Sequence, residues 1–144
     1  MIYQFSFVLG FSLVVCGACI LGCGHSGPTS GFSQTVSQFE KNRHHSIDLP
    51  ISSRDLNFLS RLDFTAVDFL INEKDFLTWA EKEKWSVQKI SKPITSLRAS
   101  KGGNIEAVIV TNGWSFGRHR SNGGGIDVIY DLQLGRCSVY YGIR

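Results

Sequence analysis

Charge is missing from the start of this chain: no Asp, Glu, Lys or Arg stands between Met1 and Phe39, and all 15 basic and 12 acidic side chains follow from Glu40 onward. Basic residues are also thin elsewhere. The net charge is +3, and the densest cluster is Arg118-His119-Arg120. Nucleic-acid binders draw affinity from a dense basic stripe that neutralises phosphates, so nucleic acid is excluded as the expected partner. Cysteine is scarce too. Of the four, Cys16, Cys19 and Cys23 crowd the N-terminal region and Cys137 stands alone. A disulfide scaffold needs several well-spaced pairs, so any fold must rest on its core. No internal repeat is present, which excludes a solenoid. Asn122 to Gly125 lacks the Lys-Ser/Thr pair of a phosphate loop, and no cofactor fingerprint occurs, so no cofactor is expected.

What is present is a folded composition, 42% hydrophobic against 19% charged, too apolar for a disordered chain. Phe5 to Gly22 is an unbroken uncharged run that a bilayer or translocon accepts more readily than an aqueous domain. It ends in Ile20-Leu21-Gly22-Cys23, followed by the small polar stretch Gly24-His25-Ser26-Gly27. This ending resembles the lipobox of bacterial lipoproteins: aliphatic residues, a small residue, then cysteine. The resemblance implies cleavage before Cys23, a thioether-linked diacylglycerol on Cys23, and a mature protein tethered to a membrane and facing the periplasm or exterior. The n-region Met-Ile-Tyr-Gln carries no Lys or Arg, and the run exceeds the usual length of a signal core. An uncleaved anchor helix is therefore the second reading, and a buried helix of the globular domain the third.

The expected organisation is a signal peptide over 1–22, a lipid-anchored flexible tether over 23–50, and a globular domain over 51–144. The tether is rich in Ser, Gly, Gln and Thr, with no steady period. In the domain, Leu56, Leu59 and Leu62 recur at helical spacing after a Ser52 or Ser53 cap, predicting a short helix. Asp63–Leu70 suits a strand. The strongest helix signal follows: Asn72 as N-cap, Glu73 and Asp75 in the first turn, and Phe76, Leu77, Trp79 and Ala80 on one face, with an exit at Trp85-Ser86. Strands are expected at Val87–Ser91, Ile105–Thr111, Gly123–Tyr130 and Arg136–Ile143, the last two joined by a hairpin in which Asp131 starts the turn and Gly135 takes positive φ. The predicted fold class is α+β, one main helix packed on a four- to five-stranded, mainly antiparallel sheet.

Candidate sites are few. Asn112 to Gly125 gathers Trp114, Phe116, Arg118, His119, Arg120 and five glycines between two strands. As a loop it would present an aromatic face with guanidinium groups to an anionic or sugar-like ligand, with Trp114, Arg118, His119 and Arg120 as the binding residues. The competing reading is a glycine-rich hairpin connection whose aromatics pack on the sheet. His119 beside Asp127 or Asp131 offers a base and an orienting acid, but no nucleophile motif accompanies them. His44-His45 lacks further ligands at metal spacing, so no metal is expected. Cys137, in an alternating strand pattern, reads as a buried structural thiol. The expected function is a non-enzymatic, lipid-tethered envelope domain binding a protein or envelope polymer. An immunity-type protein capping a partner, or an enzyme centred on His119, remain as alternatives.

Overall fold

A computed structural model describes residues 29–41 and 48–142. The signal segment, Cys23 and the His44-His45 pair lie outside the described residues. The elements in chain order are β1 (Thr29–Thr35), α1 (Val36–Lys41), β2 (Arg54–Ser60), β3 (Phe64–Leu70), α2 (Glu73–Lys82), β4 (Gln88–Lys89), β5 (Ile94–Ala99), β6 (Ile105–Val110), β7 (Gly113–His119), β8 (Gly125–Asp131) and β9 (Arg136–Gly142). Seven strands form one antiparallel sheet in the order β1-β2-β3-β9-β8-β7-β4. β5 and β6 form a separate antiparallel hairpin.

This corrects the expected α+β class. The protein is mostly β, with two short helices and a wider sheet than a main helix on four or five strands. Four strands not expected from the sequence account for the difference, Thr29–Thr35, Arg54–Ser60, Ile94–Ala99 and Gly113–His119. Arg54–Ser60 has leucines at helical spacing, yet it is a strand covered on both faces, and burial on both sides erases the alternation that marks a half-exposed strand. Leu56 and Phe58 face the helices while Asn57 and Leu59 face the other way, and Leu62 sits in the following turn, 78% exposed. Thr29–Lys41, expected to be spacer, is an edge strand and a helix. Its strand is polar because only Ser33 is buried, so it carries no apolar pattern to read.

One sheet face holds the core. Registered across the strands, Phe58, Val67, Val139 and Val128 lie in one row, with Phe69, Cys137 and Tyr130 in the next. α1 and α2 close this face through aromatic contacts. Phe39 meets Phe58 edge-on at 5.2 Å, Phe76 stacks on Tyr130 at 4.7 Å, and Trp79 meets Phe69 at 6.0 Å. Pairs of this kind add about 0.5–1.5 kcal/mol each beyond area burial. α2 begins where the capping signal put it: Asn72 Oδ1 accepts from the Asp75 amide at 2.8 Å, and its Nδ2 donates to the Asp75 carboxylate. A hydrogen bond from the Ser52 side chain, and then that from Asn72, hold the Asp75 carboxyl below its usual range. The β8–β9 hairpin also forms as expected. Asp131 Oδ1 accepts the amides of Gln133 and Leu134 at 3.0 and 3.2 Å, and Gly135 takes φ +60°.

Candidate functional site

The expected binding loop is a strand. Gly113–His119 is β7, hydrogen-bonded to β8 in unbroken register from Gly113 opposite Asp131 to His119 opposite Gly125. Strand alternation therefore splits the four candidate residues. Trp114 faces the helices, and its Nε1 donates to Glu73 Oε1 at 2.9 Å, tying β7 to the first turn of α2. Arg118 shares that face and borders a small hollow of about 180 Å³ with Glu83, Trp79 and Trp85. His119 points to the opposite face, and Arg120 is exposed in the turn that follows. The aromatic and the cations do not converge on one ligand. The glycines and polar residues masked a strand whose outer half is solvated on both sides.

His119 does find one of its two expected acids. Its Nε2 lies 3.1 Å from Asp127 Oδ1 across the β7–β8 pair, above Gly117. A Cβ at Gly117 would stand 3.0 Å from that oxygen and 3.5 Å from His119 Nε2, so glycine leaves the room this contact uses. Both side chains are open to solvent, 66% and 42% exposed. Ser115, the hydroxyl on the same strand face, is four residues from His119, about 13 Å at strand rise. A nucleophile must sit within hydrogen-bond reach of its base, so this pair cannot serve Ser115. Asp131, the other expected acid, is buried elsewhere and engaged by Arg98.

The second sheet face carries the most unusual chemistry. The β5–β6 hairpin lies across β2, β3 and β9 through β5, and the side it turns toward them mixes Ser96 and Arg98 with Ile94, Val108 and buried Val110. Asp68 on β3, 2% exposed, takes the guanidinium of Arg136, the Ser138 hydroxyl at 2.8 Å, and Arg98 Nε at 3.6 Å from the hairpin. Arg98 also donates to Asp131 Oδ2 at 2.8 Å. Two arginines thus balance two aspartates between the layers. Burial still raises the Asp68 carboxyl above its usual value, outweighing the lowering by Arg136, Ser138 and Arg98. Around this cluster Asn57 Oδ1, Ser96 Oγ and Arg98 Nε are buried without hydrogen-bond partners. An unmet buried polar group costs about 1–3 kcal/mol, which offsets part of what the ion pairs contribute here. Cys137 is buried at the sheet centre, its thiol pushed well above the usual value by burial.

The hairpin's outer side is the reverse of what an exposed surface usually shows. Thr95 pairs with Ile109 and Leu97 with Ala107 on this side. Ile109 is 64% exposed and Leu97 40% exposed. β6, Ile-Glu-Ala-Val-Ile-Val, pairs with β5 along its whole length without a bulge, and among the described residues its other edge has no strand partner. Edge strands are ordinarily blunted by Pro, Lys, bulges or shortness. β6 has no Pro, Lys or bulge and carries a single charge, Glu106. The main sheet's own edge at β4 is, by contrast, two residues long. The signal for this site was in the sequence, since Ile105–Thr111 reads as a strong strand, but nothing local marks it as an edge. Its partner β5 was not expected at all.

Among the described residues, no group of three or more His, Cys, Asp or Glu side chains is placed to hold a metal, and no helix is long and apolar enough to cross a membrane. No family model, curated protein or solved structure matches the chain.

Proposed function

We propose that this protein is a non-enzymatic interaction domain of the bacterial cell envelope, held to a membrane by lipid on Cys23 and recruiting a protein partner through the open edge of β6. The observation that carries the reading is the exposed apolar outer side of the hairpin, Leu97 and Ile109, beside a six-residue strand edge with no strand partner among the described residues. Strand addition supplies main-chain hydrogen bonds for affinity, while pockets for alternate side chains give selectivity. On β6 those alternate positions are Ala107 and Ile109, flanked by Leu97 of β5. The partner is an extended segment with apolar residues at every second position. The lipobox resemblance at Ile20-Leu21-Gly22-Cys23 supports the anchor.

The test has two arms. The intact mass of the protein from the membrane fraction of its own cells should correspond to a chain starting at Cys23 with added acyl mass, absent from Cys23→Ser. Full-length mass without acyl chains would defeat the anchor. In the second arm, Ala107→Lys and Ile109→Lys, both on the exposed side, should abolish copurification of the partner while leaving the unfolding midpoint within about 0.5 kcal/mol of the parent. Undiminished copurification would defeat the edge.

A further inference from the structure

An open cleft of about 670 Å³ lies where the start of β2, the end of β3 and the β8–β9 turn meet. Gln34 and Thr35 of β1, Arg54 and Asp55 at the start of β2, Asn72 ahead of α2 and Leu134 of the β8–β9 turn line it. Two features distinguish it from an ordinary surface depression. First, Asp55 takes φ +49°, a left-handed conformation uncommon for a residue with a side chain, at the point where the β2–β3 register shifts. Arg136 Nη2 donates to the Asp55 carbonyl at 3.1 Å while the same guanidinium grips buried Asp68, so the bend is fixed from behind. Backbone strain of this kind gathers where a side chain must be aimed at something. Second, the cleft carries one charge of each sign. Among the described residues neither the Arg54 guanidinium nor the Asp55 carboxylate has a charged partner, although they are neighbours in sequence.

We infer that this cleft binds a small zwitterionic ligand, a short peptide with both ends free. Arg54 takes the terminal carboxylate through its planar donor fork, and Asp55 takes the terminal ammonium. Gln34 offers a side-chain amide to the ligand's peptide bond, and Leu134, 56% exposed, gives an apolar side chain a surface to lie on. An anion alone would meet the Asp55 carboxylate, and a cation alone would meet Arg54. A ligand bearing both charges satisfies both groups. This site is separate from the β6 edge and stands whether or not that edge recruits a partner.

The test is calorimetric titration of the full chain with leucyl-leucine, with its N-acetyl form and with its C-terminal amide. The free dipeptide should bind, and blocking either end should weaken binding about tenfold or more, the scale of one charge-assisted contact. Arg54→Gln should remove the preference for a free carboxylate alone. Asp55→Asn should remove the preference for a free amine alone, because asparagine tolerates the left-handed backbone and keeps the bend. Equal binding of free and blocked forms, or no heat from any of the three at millimolar concentration, would overturn the inference. So would undiminished selectivity in both variants.

Discussion

Arg98 of the hairpin donates to Asp131 of the main sheet at 2.8 Å, and with its 3.6 Å approach to Asp68 it is the principal ionic tie between the two layers. Truncating it strands two buried carboxylates, one of which keeps Arg136. Arg98→Ala should destabilise the protein by about 3 kcal/mol, in the range for breaking a buried pair by removing one partner. Urea unfolding measures this directly. Hydrogen exchange should show the loss concentrated in β5 and β6, the strands that Arg98 ties to the main sheet.

Gly113 opens β7 at φ +149°, and a Cβ there would stand 1.8 Å from the Tyr130 carbonyl oxygen. Neither the backbone angle nor the space admits a side chain. Gly113→Ala should cost more than about 3 kcal/mol, among the largest effects a single substitution produces. Thermal unfolding, or failure to accumulate folded protein, checks it.

The burial-raised carboxyl of Asp68 gives a pH signature. The native state holds this proton more readily than the unfolded chain does. Asp68's contribution to stability is therefore greatest at low pH and falls as pH rises above 3.8, the unfolded value, through the higher native value. Asp75, held below its ordinary value, acts oppositely: its contribution is present above the unfolded value and is lost as pH falls below it. Urea unfolding between about pH 4 and about pH 7 should show a steeper fall in stability with pH in the parent than in Asp68→Asn.

Cys137 should behave as an inert thiol. Burial raises it far above the range where a thiolate forms at neutral pH, and neighbouring Asp68 adds to the rise. In a chain with Cys23→Ser and the signal removed, a thiol reagent should label Cys137 only as fast as the protein unfolds. Rapid labelling in native buffer would show that the sheet centre is open.

How much of this was legible depended on whether the signal was local. The Asn72 cap, the Phe76–Trp79–Ala80 face of α2 and the Asp131–Gly135 turn are written in adjacent residues, and the structure has them there. β2 and β7 were not legible, because their identity comes from tertiary cover. Leucines at three-residue spacing become strand residues when both faces are buried, and Gly113–His119 becomes a strand because β8 pairs with it. The Asp68–Arg136–Arg98–Asp131 cluster was invisible for the same reason, since its members lie up to 68 residues apart. The sequence sets His119 beside Asp127, and the two side chains do meet, on an open surface.

The central claim is that the outer edge and apolar side of the hairpin receive a partner. The most direct measurement replaces Ile109 by a photo-crosslinking amino acid in the full chain, expressed in its own cells, with the same replacement at Leu134 as the control. Both positions are exposed, at 64% and 56%. The account predicts a single adduct of defined mass from position 109, lost when Ala107→Lys is added, and none of that mass from position 134. Sequencing the adduct identifies the extended segment, and an adduct of twice the chain mass would identify the partner as a second copy. No adduct at position 109, or the same adducts from both positions, would contradict it.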